Sequence, residues 1–501
     1  MRRRTIARRG AALLACAAAL MPAPAAAHAP RSSAPPLPPG ISVAADTIPV
    51  SSQATGSSEG PVPGDGPAVR EDRAPDASVG YIAYTAREGS GRPVIFAFNG
   101  GPGASSTFLH LGVLGPARLD VPQDPAAPLP AHAPLAPNAN ALLDLADIVF
   151  LDPPGTGFST REGADAQYYN SVAGDARAVA QAVDAWLAAN GRRDAPVYIL
   201  GESYGTIRAV AMLDAFAALE SAPSIRGVVL LGQALNMIET SQRPDNIISY
   251  VVSLPSLAAI ACYHGKAAQP CTPGAIAEEA ARFAHEDYLP ALFAGAALPA
   301  AERRRIAARL EELSGIPAAF YLAHDLRISK ERFRVELLRA QGKVVGRYDA
   351  RYLAPRPADA GPVVGPDAFS AVSDLYRRAM PAYLDALLPG ARGADYKVIA
   401  RPGGTWRYGG ADSPFSDWPF METVERAAAA DRCLRLFVGT GVFDLTTTIG
   451  AADYLFAQSS LPAARYRAEE YGAGHMFYSD AAAREAFLAD MRAFIAADPC
   501  A

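Results

Sequence analysis

The segment Gly201-Glu202-Ser203-Tyr204-Gly205 sets a serine between two glycines in the pattern G-x-S-x-G, an arrangement suited to attack on an acyl carbon. The glycines relieve crowding at a sharp strand-to-helix turn, so the hydroxyl stands clear of the sheet while the helix N-terminus favours developing negative charge. A serine hydroxyl is a weak nucleophile until a base takes its proton, and that base needs an orienting acid. In chains with this motif the acid and base follow the serine in the order Asp, His. Only His324 and His475 of the seven histidines lie beyond residue 300. His475, in GAGHMF, is the better base, because its flanking glycines let backbone crowd a site. For the acid, Asp444 in GTGVFDLTT directly follows an apolar run. Its rival Asp453 lies a turn or two into the next helical stretch, and the bland reading of Asp444 is a helix N-cap. Ser203, Asp444 and His475 together would perform acyl transfer.

These residues need a scaffold. VGYIAYTA, RPVIFAFNG, Ala146–Asp152, Val197–Glu202, IRGVVLLGQ and Leu434–Gly441 are short β-branched and aromatic runs that stop at Gly or Pro, which predicts strands. Between them, Ser171–Asn190 and Tyr204–Leu219 repeat apolar residues at helical spacing, and a late strand in YRAEEYGAG with a helix after Asp480 completes the alternation. The alternation predicts an α/β fold with a mostly parallel central sheet flanked by helices. It breaks down over residues 234–431, where stretches such as AERRRIAARLEEL and KERFRVELLRAQGK predict a mainly helical cap inserted into the core. The core is then 77–233 and 432–501.

Of the 501 residues, half are apolar and 19% charged, enough for a large core with an insertion. The net charge is −5 with no long basic run beyond the first ten residues, which argues against a nucleic-acid partner. MRRRTIARRG, the apolar run Ala11–Met21 and PAPAAAHA predict a signal peptide over residues 1–27. Eleven apolar residues are about half of a bilayer span, so no stable membrane partner is expected. Arg3-Arg4 and the run before Cys16 faintly suggest twin-arginine and lipoprotein signals, both weaker readings. Residues 28–76, rich in Pro, Ala and Ser and without apolar periodicity, are expected to form a flexible tether. The expected destination is the periplasm or the medium. Cleavage would remove five arginines and no acids, leaving 41 basic against 51 acidic side chains. It would also remove Cys16 and leave Cys262, Cys271, Cys433 and Cys500 in an oxidising compartment, with Cys262–Cys271 the first-choice bridge by proximity and four free thiols the alternative. Histidines are few and scattered and there is no CxxC pair, so no metal or other cofactor is expected.

NGGPGASS, LDPPGTGFS, GESYG, the late Asp and GHM occur in one order, and in that order the chain resembles the serine carboxypeptidase family of the α/β-hydrolase fold. The resemblance implies an exopeptidase that removes the C-terminal residue of peptides with a free C-terminus through an acyl-enzyme. It also implies that Asn99, Gly100 and Glu202 hold the substrate carboxylate, that the backbone N–H groups of Gly101 and Tyr204 form the oxyanion hole, and that Met476 lines the leaving-residue pocket. Met476 as simple packing is an equal alternative. A carboxyl beside a substrate carboxylate shares a proton with it, so activity at acidic pH is expected. The chain departs from the family pattern at Ala97, where tryptophan is common, at Ala104, where cysteine is common, and at Phe477-Tyr478, where Val-Pro is usual. Those changes put the pocket shape and disulfide pattern in doubt.

Other readings share the fold. An esterase or lipase often carries an HGGG-type loop, whereas here the glycines follow Asn99. A prolyl aminopeptidase more often has His before GGPG, and an acyltransferase would pass the same acyl group to an alcohol. A catalytically inactive binding protein is the reading from another class, and such a protein commonly lacks a triad member.

Overall fold

Strands form where every side chain can be buried. In VIFAF and DIVFLD all positions are buried, so each run needs cover on both faces, as in a sheet with helices on either side. The computed structural model describes residues 35–52, 75–87, 89, 91–162, 167–219, 221–357, 367–388, 390, 392–400, 406–408, 418, 420–497 and 500. The expected signal peptide lies outside the described residues.

Among the described residues eight strands make the central sheet: β1 (Ile41–Val50), β2 (Ala77–Ala86), β3 (Val94–Phe98), β4 (Asp147–Asp152), β5 (Val197–Glu202), β6 (Ile225–Leu231), β7 (Arg435–Gly441) and β8 (Tyr466–Tyr471). Their spatial order is β1-β2-β4-β3-β5-β6-β7-β8. β2 pairs antiparallel with β1 and β4, and every later pairing is parallel. This is the α/β-hydrolase fold. One expectation is corrected here: residues 28–76 are not a tether throughout, because Ile41–Val50 pairs along its whole length with β2. Ile41, Val43, Thr47, Ile48 and Val50 suit a strand but are interrupted by Ser, Ala, Asp and Pro, which meets the needs of an edge strand without a continuous apolar run.

Side chains alternate between two cores. Ile95 and Ala97 of β3 point into one apolar cluster, while Val94, Phe96 and Phe98 point into the other. Helices α1 (Val172–Ala189) and α2 (Tyr204–Ala217) cover the second face. In the insertion, α3 (Leu254–Tyr263), α4 (Pro273–Phe283) and α5 (Ala300–Ser314) build a third apolar cluster, which also takes in Val442, Phe443, Leu445 and Ile449 of the core. The insertion does not behave as one cap. Helix α6 (Ser370–Leu387) packs into the first core through Val372, Tyr376 and Tyr383, and α7 (Phe420–Ala430) into the second through Val424 and Ala428. KERFRVELLRAQGK also divides, since its helix ends at Glu336 and a short strand begins at Lys343. Helices α8 (Ile449–Ala457) and α9 (Ala481–Ala496) complete the core.

Cys262 pairs with Cys271, and Cys433 with Cys500. No helix among the described residues is long and apolar enough to cross a membrane.

Candidate active site

Ser203 sits between β5 and α2 with φ 58° and ψ −126°, a left-handed conformation that a side chain bearing Cβ seldom adopts. Its N–H donates to Leu231 O of the adjacent strand at 2.8 Å. The turn is tight enough to exclude a side chain before it, since a methyl on Gly201 would lie 2.1 Å from Gly205 O. Gly100 meets a similar limit: a methyl there would approach Tyr204 N at 2.5 Å. The NGG loop after β3 therefore lies directly on the start of α2. Tyr204 N thus lies against Gly100, the residue next to Gly101.

His475 Nδ1–H donates to Asp444 Oδ2 at 2.6 Å, and both side chains are buried. Asp444 follows β7 directly, as expected, and accepts two further bonds, from Thr446 N at 2.6 Å and Thr447 Oγ1 at 2.6 Å. Its rival Asp453 lies in α8. Burial opposes charge on the imidazole, but the Asp444 carboxylate and its hydrogen bond outweigh that and raise His475 above the usual histidine range. His475 lies against Gly232, where a methyl would lie 2.9 Å from the ring and which follows the Leu231 that accepts from Ser203 N. The other ring nitrogen, Nε2, is buried and makes no hydrogen bond among the described residues, so no bond joins it to Ser203 Oγ in this conformation. A nucleophile–base bond is often open in an unliganded site and closes on substrate. The alternative base, His324, is exposed and stacks on Phe320.

Glu202, next to the nucleophile, is 3% exposed. Burial drives its carboxyl up to about 7, against hydrogen bonds from Tyr478 and Asn99 that favour the charged form. Asn99 Nδ2 donates to Glu202 Oε2, and Asn99 Oδ1 accepts from Leu109 N at 3.1 Å. The Asn99 carbonyl accepts from Arg208 Nη1 at 2.8 Å. Arg208 is in turn paired with buried Asp175 at 2.7 Å, which also accepts from Tyr204 OH at 2.9 Å. These contacts hold the loop after β3 against α2.

Met476 is 6% exposed and packs with the first apolar core. Two residues were not singled out from sequence. Tyr478, read only as a departure from the family pattern, donates to Glu202 at 2.7 Å. Tyr348, from the insertion, lays its ring edge-on to His475 with centroids 5.0 Å apart. The unusual residue after GHMF was a signal for Tyr478, whereas no motif surrounds Tyr348. Among the described residues no cluster of His, Cys, Asp and Glu is placed to hold a metal ion.

Residues 69–222 match the family model for serine carboxypeptidase. Over that segment, which runs from ahead of β2 to the end of α2, the chain is similar to that family. A comparison with curated proteins found no match. Among solved structures, the chain is similar to VinJ, with 14% identity, 87% of this chain and 100% of that chain covered, and a TM-score of 0.37. It is also similar to proline iminopeptidase of Mycobacterium smegmatis, at 13% identity, 84% and 97% coverage and a TM-score of 0.34. A third is the peroxisomal alpha-beta-hydrolase Lpx1 of Saccharomyces cerevisiae, at 11% identity, 92% and 91% coverage and a TM-score of 0.35.

Proposed function

We propose that this chain, an α/β-hydrolase similar to the serine carboxypeptidases, hydrolyses the C-terminal peptide bond of peptides through an acyl-enzyme on Ser203. The observation that carries the reading is the state of Glu202. A buried carboxyl held near neutrality beside the nucleophile and bonded to Asn99 is suited to sharing a proton with a substrate carboxylate. An ester or an internal peptide bond would make no use of it.

In this reading Ser203 Oγ attacks the carbonyl carbon while His475 Nε2 takes its proton. Asp444 stabilises the imidazolium through Nδ1. Negative charge on the carbonyl oxygen is met by the N–H groups of Gly101 and Tyr204. His475 then protonates the departing amine, which leaves as the free C-terminal amino acid. Water attacks the acyl-enzyme by the same route in reverse, giving up its proton to His475 and releasing Ser203. Asn99, Gly100 and Glu202 bind the terminal carboxylate until the amino acid that bears it departs, and peptide cleavage is favoured where Glu202 is protonated, on the acidic side of about 7.

Export to the periplasm or medium belongs to the same proposal. It is supported by the signal-like N-terminus and by two disulfides, which persist in oxidising compartments.

The test uses N-blocked dipeptides with free or amidated C-termini, together with a fluorophosphonate probe. The expected result is a Ser203 adduct and turnover confined to the free acids. Equal turnover of acid and amide would favour an esterase or general amidase, transfer to an added alcohol in preference to water would favour an acyltransferase, and a folded protein without an adduct would favour an inactive binder.

A further inference from the structure

The residues that carry the acid and the base leave the sheet on separate loops, Val442–Leu445 after β7 and Gly472–His475 after β8. The two loops touch each other, with Val442 N donating to Tyr471 O and Phe443 N to Ala473 O, each at 2.9 Å. A third segment, Arg347–Arg351 of the insertion, runs against both. On the acid side, Leu445 N donates to Arg347 O and Ala350 N donates to Phe443 O, each at 3.0 Å. On the base side, His475 N donates to Tyr348 O at 2.5 Å and Gly474 N to Asp349 Oδ2 at 3.1 Å. The approach leaves no room for a side chain at Gly474, where a methyl would lie 2.2 Å from Tyr348 O.

The segment is itself held at both ends. Asp367 accepts from Arg347 N at 2.7 Å and Tyr348 N at 2.9 Å. Arg351 forks onto Asp349, with Nη2 at 2.7 Å from Oδ2 and Nε at 3.0 Å from Oδ1. Its Nη1 reaches Gly472 O at 3.1 Å and Asp480 Oδ2 at 2.9 Å. Asp349 is 1% exposed, and an ion pair that deep persists only with its remaining hydrogen bonds satisfied. Asp349 accepts those bonds from Arg351 N at 3.0 Å and from Gly474 N, on the loop carrying His475.

We propose that Arg347–Arg351 is a strap that sets the position of His475 relative to Asp444 and Ser203, with Asp349 as its positioning residue. The strap makes part of the insertion integral to the triad, where a cap would merely cover it. The proposal rests on reading Ser203, His475 and Asp444 as an acyl-transfer triad, and it does not depend on which acyl substrate is used.

The test measures the second-order rate constant for fluorophosphonate labelling of Ser203 in the full chain. Alongside it, the low-field proton resonance of the His475–Asp444 bond is recorded, with the folded fraction taken from thermal melts. Asp349→Ala is expected to slow labelling by roughly ten- to a hundredfold at full folding, since small misplacements of a catalytic group cost about that much, and to shift or broaden the resonance. Asp349→Asn, which keeps an acceptor for Gly474 N, is expected to recover part of the rate. If Asp349→Ala does not fold, Arg351→Gln reads the same strap from its fork and is expected to slow labelling in the same direction. Labelling in proportion to folded protein with an unmoved resonance would overturn the strap. Wild-type protein that folds but does not label would instead overturn the triad reading, and labelled protein that spares free-acid peptides would overturn the carboxypeptidase reading alone.

Discussion

Tyr478 OH donates to Glu202 Oε2 at 2.7 Å, the same oxygen that accepts from Asn99 Nδ2. Two donors on one carboxylate oxygen favour the charged form, while complete burial disfavours it more strongly. Removing the phenol oxygen leaves the ring in place and takes away one of the two opposing donors. Tyr478→Phe should therefore raise Glu202 further and move the alkaline limb of kcat/KM for free-acid peptides to higher pH. The stability cost should be about 1 kcal/mol, the usual scale for one hydrogen bond. A limb that stays where it was would show that Glu202 does not set it.

Glu202→Gln tests the carboxyl directly. Below about 7 the native side chain is protonated and donates to the substrate carboxylate, whereas above it the charged form repels that group. The glutamine variant should lose the alkaline limb near neutrality. Unchanged pH profiles for the two proteins would count against the proposed carboxylate site.

Stability should respond to the same group. Because the folded value lies above the ordinary 4.5, the buried carboxyl costs nothing at pH 4 and progressively more as the pH rises through about 7. Thermal melts of Glu202→Gln against wild type should show a difference that grows over this window in favour of glutamine, approaching about 3 kcal/mol at pH 8. A constant difference from pH 4 to pH 8 would contradict the burial of a titrating carboxyl.

Asp444 accepts three hydrogen bonds and is fully buried. Asp444→Asn keeps the shape but turns an amide donor toward Nδ1 or forces the wrong imidazole tautomer. The expected loss in kcat is about 10⁴-fold, with KM changed far less. A loss under tenfold would reassign Asp444 to a structural role.

The four cysteines beyond Cys16 are all bridged. Protein exported through an oxidising compartment should take up no alkylating agent before reduction and four equivalents after it, as read by intact mass. Cys433–Cys500 spans 67 residues and Cys262–Cys271 spans nine, so Cys500→Ser should lower the melting temperature more than Cys271→Ser. The reverse order would show that strain or residual structure outweighs loop closure.

The sequence by itself determined the parts of this protein that are local. A serine between glycines at a strand end, an aspartate directly after an apolar run and a histidine among glycines were all legible. Each depends on a few neighbouring residues and on a backbone turn with few solutions. The period of apolar residues likewise announced seven of the eight strands and the helices between them. β1 escaped because an edge strand needs only a partner, and its partner β2 begins 27 positions beyond the end of β1 at Val50. Only the tertiary structure decided which distant groups meet. Tyr478 reaches Glu202 across 276 positions, and Asp349 reaches Gly474 across 125. Such contacts arise where separate loops cross above the carboxyl ends of parallel strands, and they are set by packing, which no spacing along the chain records. The proposed triad was legible in the sequence, but the approach of Tyr478 to Glu202 and of Asp349 to the loop carrying His475 became visible only once the chain was folded.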